Sequence, residues 1–274
     1  MKRAGILLAI DSGAAATAAV EATAFIAHAL RTRVAVLYVD HTTSASEANP
    51  SPDRRAVEQL RRAGVEAEVE VRAGDPADEI LAASRGLHVQ LIVMGSRGRS
   101  TLTGLLLGSV SQAVSARATC PVLVVRPGNH AWPVRRILLA IEGAAGSSSL
   151  AATTARLATA MNAEVVVTHV SYPGGEQVER GLYHARQTHG EEATSAVIQR
   201  LARRGIHATA LPVVAVNGIS RALARCAESV DAQLIVMGAH EPARSGEPAG
   251  TELSTSVLHR SRRPVLVIRE GEAQ

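Results

Sequence analysis

The chain has 274 residues and a net charge of +4, a length that suits two domains of ordinary size. Hydrophobic residues make up 46% and charged residues 20%, which excludes a disordered chain, and only 2% are aromatic, which argues against a base-stacking nucleic-acid surface. There are 14 basic against 12 acidic residues before Arg135 and 15 against 13 from there on, so a mixed solvated surface is expected and no nucleic-acid groove.

Met1-Lys2-Arg3 and the apolar run that follows resemble the start of a signal peptide. Asp11 stops that run early, and a first β-strand explains it better. Strands are predicted near Gly5–Asp11, Arg33–Asp40, Val65–Ala73, Gln90–Gly95 and Pro121–Arg126. They are short, rich in Val, Ile and Leu, and mostly apolar on both faces, as in a parallel sheet covered on both sides. Between them, Ala14–Leu30, Pro52–Ala63, Pro76–Arg85 and Gly108–Arg117 read as helices, with Pro52 and Pro76 where a first turn tolerates proline. No apolar run reaches transmembrane length. Cys120 and Cys226 give neither a disulfide framework nor a metal spacing, so a cytoplasmic protein without a membrane partner is expected.

The pattern then repeats. Ile6–Ile10 recurs as Ile137–Ile141, Gln90–Gly95 recurs without change as Gln233–Gly238, and Pro121–Val124 recurs as Pro264–Val267. Two domains are expected, 1–128 and 129–274, joined through a segment with Pro127, Gly128 and Pro133. Strand–helix alternation implies an α/β fold with two tandem, doubly wound, Rossmann-like sheets, whose ligands bind where strand order reverses. The second half carries extra residues around Tyr172–Gly190, read as a loop leading into a longer second helix.

The segment after the fourth strand carries the chemistry. Gly95, Gly98, Gly104 and Gly108 allow unusual backbone conformations and let N–H groups converge on an anion. Gly108-Ser109 opens a helix whose free amides favour a phosphate. Ser96, Ser100, Thr101 and Ser109 add hydroxyls, and Arg97 and Arg99 add charge. On glycine content alone a plain surface loop fits as well. There is no Walker loop, and the glycines are too far apart for the dinucleotide fingerprint.

Glycine, two residues, glycine, nine residues, glycine and serine, at Gly95, Gly98, Gly108 and Ser109, resembles the ATP-binding signature of the universal stress protein family. The entry Leu91–Gly95, the exit Cys120–Val125 and a first strand ending in Asp11 are similar to that family too. The resemblance covers nearly the whole chain and implies a tandem member with five-stranded parallel sheets of order 3-2-1-4-5. It implies ATP, with Mg²⁺, across the strand ends of the first half. Asp11 and Val39 would meet the adenine. Gly95 and Gly98 would approach the phosphates, with Gly108, Ser109 and Val110 at the ribose and phosphates, and Met94 and Arg99 would be further nucleotide-binding residues. It further implies a regulatory or stress-survival role with little or no turnover, and a homodimer or an internal pairing of the two halves. A slow ATPase and a nucleotide-independent scaffold are the alternatives.

The second half departs from the motif. Aligning 90–126 on 233–269 without a gap gives no identity between Ser96 and Val110. Gly98 becomes Glu241, Gly108 becomes Thr251, Ser109 becomes Glu252, and Asp11 becomes Glu142. A carboxylate beside a phosphate is repulsive, so one nucleotide site per chain is expected. No catalytic residue and no protein metal site is expected. His28 and His169 read as packed, His41 fits the nucleotide site and a solvated loop equally well, and His184, His189, Glu191 and Glu192 read as a solvated helix face.

Overall fold

The fold is that of a computed structural model. It describes residues 4–11, 13, 15–40, 52–96, 108–128, 132–141, 147–171, 177–215, 218–239 and 250–269, with backbone alone at 52–53, 147, 177–189 and 250–252. The chain divides into two compact units, Met1–Trp132 and Pro133–Gln274.

In the first unit β1 (Ile6–Ile10), α1 (Ala15–Leu30), β2 (Val34–Asp40), α2 (Pro52–Arg62), β3 (Ala67–Ala73), α3 (Pro76–Gly86), β4 (Leu91–Gly95), α4 (Ser109–Arg117) and β5 (Val122–Val125) follow one another. The five strands are all parallel, in the order β3-β2-β1-β4-β5. Helices α1 and α2 pack together, as do α3 and α4. With so few aromatics the core is aliphatic: Leu7, Leu8, Leu37, Ile92 and Leu123 are fully buried, each contributing about 1.5–3 kcal/mol. The expectation that strands are covered on both faces fails at β3, where Val69 and Val71 are exposed, because this order puts β3 at the sheet edge. Trp132, at the predicted linker, lies against Phe25 of α1 with ring centroids 5.8 Å apart.

The second unit repeats this with β6 (Arg136–Ile141), α5 (Ser147–Met161), β7 (Glu164–Ser171), α6 (Gln177–Ala202), β8 (Ala208–Ala210), β9 (Val213–Val214), α7 (Ile219–Ser229), β10 (Leu234–Ala239), α8 (Gly250–Arg260) and β11 (Val265–Arg269). Its sheet runs β8-β7-β6-β10-β11, again parallel, with β9 continuing beside β7. Duplication extends to the turns. Left-handed residues end α1 and α5 (Arg31, Asn162), α2 and α6 (Gly64, Gly205), and α3 and α7 (His88, Asp231). In each pair the following amide closes the helix on a carbonyl five residues back, as in Val89 to Ser84 and Ala232 to Ala227.

Two details depart from the sequence reading. Helix α6 begins at Gln177, so Gly181 and Gly190 lie within it instead of in a loop. Gly190 is required by packing, since a Cβ there would collide with the imidazole of His169 on β7. The third strand of this unit is also broken. Pro212 has no N–H to give, and β8 and β9 stand on either side of Leu211-Pro212.

Candidate functional site

Strand order reverses between β1 and β4, so the crevice at their carboxyl ends is where this architecture places a ligand. The register Ala9↔Met94 brings Asp11, just past β1, beside Gly95 and Ser96. Asp11 holds its own turn: Oδ1 accepts the Gly13 N–H at 2.8 Å. Val39 and Met94 are buried strand residues, at the ends of β2 and β4.

Among the described residues neither Gly95 nor Gly108 has an unusual torsion, and Gly95 serves a close approach. A Cβ on Gly95 would sit 2.6 Å from the Cβ of Ala15, so this glycine lets the first turn of α1 rest on β4. Gly108 is extended, with φ −68° and ψ 144°, a conformation open to any residue. This corrects the expectation that both were needed for special backbone conformations. Gly98 and Arg99, with Arg97, Ser100, Thr101, Gly104 and His41, fall outside the described residues.

The start of α4 is tied to the end of β4 by backbone. The Gly108 N–H donates to the Ser96 carbonyl at 2.7 Å, and the Ser96 N–H donates to the Val125 carbonyl at 2.8 Å. Ser111 reinforces the tie, its hydroxyl donating to the carbonyl of Gly108 at 2.9 Å, with that of Ser96 at 3.3 Å. The first bond along the helix runs from the Gln112 N–H to the Gly108 carbonyl. Ser109, Val110 and Ser111 precede it, so their amides face out of the helix end, and Gly108 has no side chain to cap them. Three aligned amides and the helix dipole favour an anion there. Ser109 is exposed and Val110 half-buried.

Ser96 is fully buried, and among the described residues its hydroxyl has no hydrogen-bond partner. An orphan hydroxyl costs about 1–3 kcal/mol, so a polar partner at this point would be stabilising. A polar group arriving at the strand ends fits that need, and a phosphate also fits the uncapped amides. The importance of Ser111 escaped the sequence reading. Its signal was there: Ser111 is identical with Ser254, next to a stretch with no identities.

Among the described residues the second unit does not repeat this construction. Ala239 stands where Ser96 stands in the first, and it is buried with no polar side-chain atom. Thr251, matched to Gly108, is already inside α8, which begins at Gly250. Glu142 and Glu241 lie outside the described residues.

The other titratable groups stay structural. Burial pushes the Cys120 thiol up to about 11 and also raises Cys226, so neither is an activated nucleophile. His28, expected to be packed, is exposed on the outer face of α1, whereas His169 is half-buried against Gly190. Among the described residues no cluster of His, Cys, Asp or Glu could hold a metal, and no helix is long and apolar enough to cross a membrane.

Comparison with known proteins places this architecture. The model of the universal stress protein family matches residues 4–126 and again 133–269. Universal stress protein YxiE of Bacillus subtilis is 51% identical over 71 residues, 26% of this chain and 48% of that protein. A universal stress protein of Mycobacterium bovis is 32% identical over 191 residues, 67% of this chain and 63% of that protein. The chain thus spans less than two thirds of either relative. The crystal structure of a universal stress protein from Archaeoglobus fulgidus superposes with a TM-score of 0.68 at 22% identity, covering 98% of this chain and 97% of that one; this likeness is one of fold.

Proposed function

The chain belongs to the universal stress protein family in both halves, and from that membership and the site above we propose that its first unit binds one ATP and acts as a nucleotide-dependent regulatory or stress-survival protein. The observation that carries this reading is the start of α4, which has no side-chain cap, beside the Ser96 hydroxyl, which has no partner among the described residues. The amides of Ser109 and Val110 and the Ser96 hydroxyl would take phosphate oxygens, and Gly98 and Arg99 are proposed as further nucleotide contacts on the motif alone. Asp11 and Val39 would meet the adenine, and Met94 and Gly95 would form the floor. Magnesium would neutralise the polyphosphate without a dedicated protein cage, as that ion commonly does. Turnover would be slow or absent, because Asp11 is engaged with its own turn and no other described group stands ready as a base beside the amides.

The test is mass spectrometry of nucleotide released from the purified protein, followed by melting with added ATP. ATP at about 100 times its dissociation constant should stabilise the fold by roughly 2.7 kcal/mol. A nucleotide-free protein whose melting ignores ATP would point instead to a scaffold. Sustained hydrolysis at an ordinary enzymatic rate, ~10 per second, would point to an enzyme.

A further inference from the structure

The second unit has a crevice at a place where the first unit carries ion pairs. It lies between the interrupted edge strand and α7, is open to solvent with a volume of about 370 Å³, and is lined by Leu211, Val213 and Val214 from the strand and by Arg221, Ala222 and Arg225 from the helix. Val214 is about half exposed, at 51%.

Register identifies the matched residues in the first unit. Arg72 pairs with Val39 on β2, and Val213 pairs with Val170 at the equivalent place on β7, so Arg72 and Val213 correspond. By the same count Leu211 answers to Glu70. The helices α3 and α7 end on the matched left-handed residues His88 and Asp231, so Ala222 answers to Glu79, Arg221 to Asp78 and Arg225 to Ala82.

In the first unit these positions form an ion-pair network across the crevice. Arg72 Nε meets Glu70 at 2.6 Å, and Arg72 Nη1 meets Glu79 at 3.2 Å. Burial pulls the Arg72 pKa down, but the hydrogen bonds and charges of the two glutamates outweigh it, and the guanidinium is held in its charged form. In the second unit all three network members are apolar, Leu211, Val213 and Ala222. Asp78, which pairs with Arg117 in the first unit, is replaced by a cation. Arg221 and Arg225 are exposed, one turn apart on the face that lines the crevice, and neither has an ion pair among the described residues. An internal salt network has been exchanged for an apolar floor with two unmatched positive charges at its rim.

We propose that this crevice is a binding site for a small amphipathic carboxylate, whose hydrocarbon body lies on Leu211, Val213 and Ala222 and whose carboxylate is held by Arg221 and Arg225. The volume falls at the lower end of small-ligand pockets. Arginines at i and i+4 face one another closely enough to share one anion, and the planar guanidinium fork suits a carboxylate. The inference is independent of the nucleotide reading, because it concerns the other unit.

Octanoate is a suitable probe, titrated calorimetrically into the full chain beside octan-1-ol, which lacks the charge, and acetate, which lacks the body. Octanoate should bind at least about tenfold more tightly than either. The double variant Arg221→Gln/Arg225→Gln changes only exposed side chains and should weaken octanoate by roughly tenfold or more while leaving circular dichroism unchanged. Val213→Arg/Ala222→Glu, which copies the first unit, should abolish binding by closing the crevice. Octanoate binding should persist in Gly98→Glu, separating this site from the nucleotide site. The proposal is overturned if octanoate does not bind, if octan-1-ol binds equally well, or if the arginine double variant binds octanoate as the native chain does. It is also overturned if sedimentation shows native dimers that Val213→Arg/Ala222→Glu disperses, since a second copy would then fill the crevice.

Discussion

At the end of β4 a buried serine, Ser96, anchors the start of α4 through its backbone and keeps a hydroxyl without a partner among the described residues. At the end of β10 the matched residue is Ala239, and the helix beyond begins before the position matched to Gly108. On the edge of each sheet the contrast runs the other way: Arg72 ties two glutamates in the first unit, and its counterpart Val213 lines an open crevice. The strands, their order and the helix-ending turns survive duplication, because each holds up the hydrophobic core. The polar groups at the strand ends and at the sheet edge contribute little to that core, so they were free to diverge. The difference between the units therefore marks the two surfaces where we propose that ligands bind.

The largest effect should separate packing from binding at two glycines of one site. Gly95→Val places a side chain against Ala15 and should cost about 1–3 kcal/mol of stability, read by denaturant melting. Gly108→Ala demands no new backbone conformation, so melting should be unchanged while ATP binds more weakly. A stable Gly95→Val would show that α1 does not rest on β4 as described.

That pair also shows how far the sequence could be read. In the first unit repeats and apolar runs located the strands and helices to within about two residues, because burial dictates both their spacing and their composition; in the second unit the start of α6 and the break between β8 and β9 were missed. The reason for each glycine was not legible, since it depends on what approaches from elsewhere in the chain. Gly95 meets Ala15 of α1, and Gly190, which reads as a loop signal, is helical because it faces His169. The exposure of β3 and the crevice beside β9 depend on position in the sheet, which no local pattern contains.

A smaller effect is expected at the starts of α3 and α7. Asp75 caps α3, its Oδ1 accepting the N–H groups of Ala77 and Asp78 at 3.0 Å each. Asp75→Ala should destabilise the first unit by about 0.5–2 kcal/mol. The matched residue of the second unit is Gly218, at φ +90°. Gly218→Asp should therefore bring no gain, because the aspartate would be strained where the glycine is not. Hydrogen exchange resolved by unit measures both; equal gains and losses at the two caps would contradict the assignment.

The smallest effect concerns the thiols, one in each unit. Burial raises the pKa of both, with Cys120 at about 11 against an ordinary value of 9.0. The folded state thus binds the Cys120 proton more tightly than the unfolded state does. Its contribution to stability is complete below about pH 9 and is lost as pH rises through 11. Alkylation of the native chain near pH ~8 should be slow at both cysteines and rapid after unfolding. Free-thiol rates in the native chain would show that neither is shielded.

The account rests most heavily on a single nucleotide site in the first unit, and calorimetric titration with ATP tests it directly. The native chain should bind about one ATP. Gly98→Glu installs the residue found at position 241 and brings a negative charge towards a polyphosphate. Two like charges ~4 Å apart repel by roughly 4 kcal/mol at an effective dielectric of 20. Even a third of that lowers affinity about tenfold. Glu241→Ala should leave the titration unchanged. Two equal sites in the native chain, or a loss in Glu241→Ala as large as that in Gly98→Glu, would contradict it.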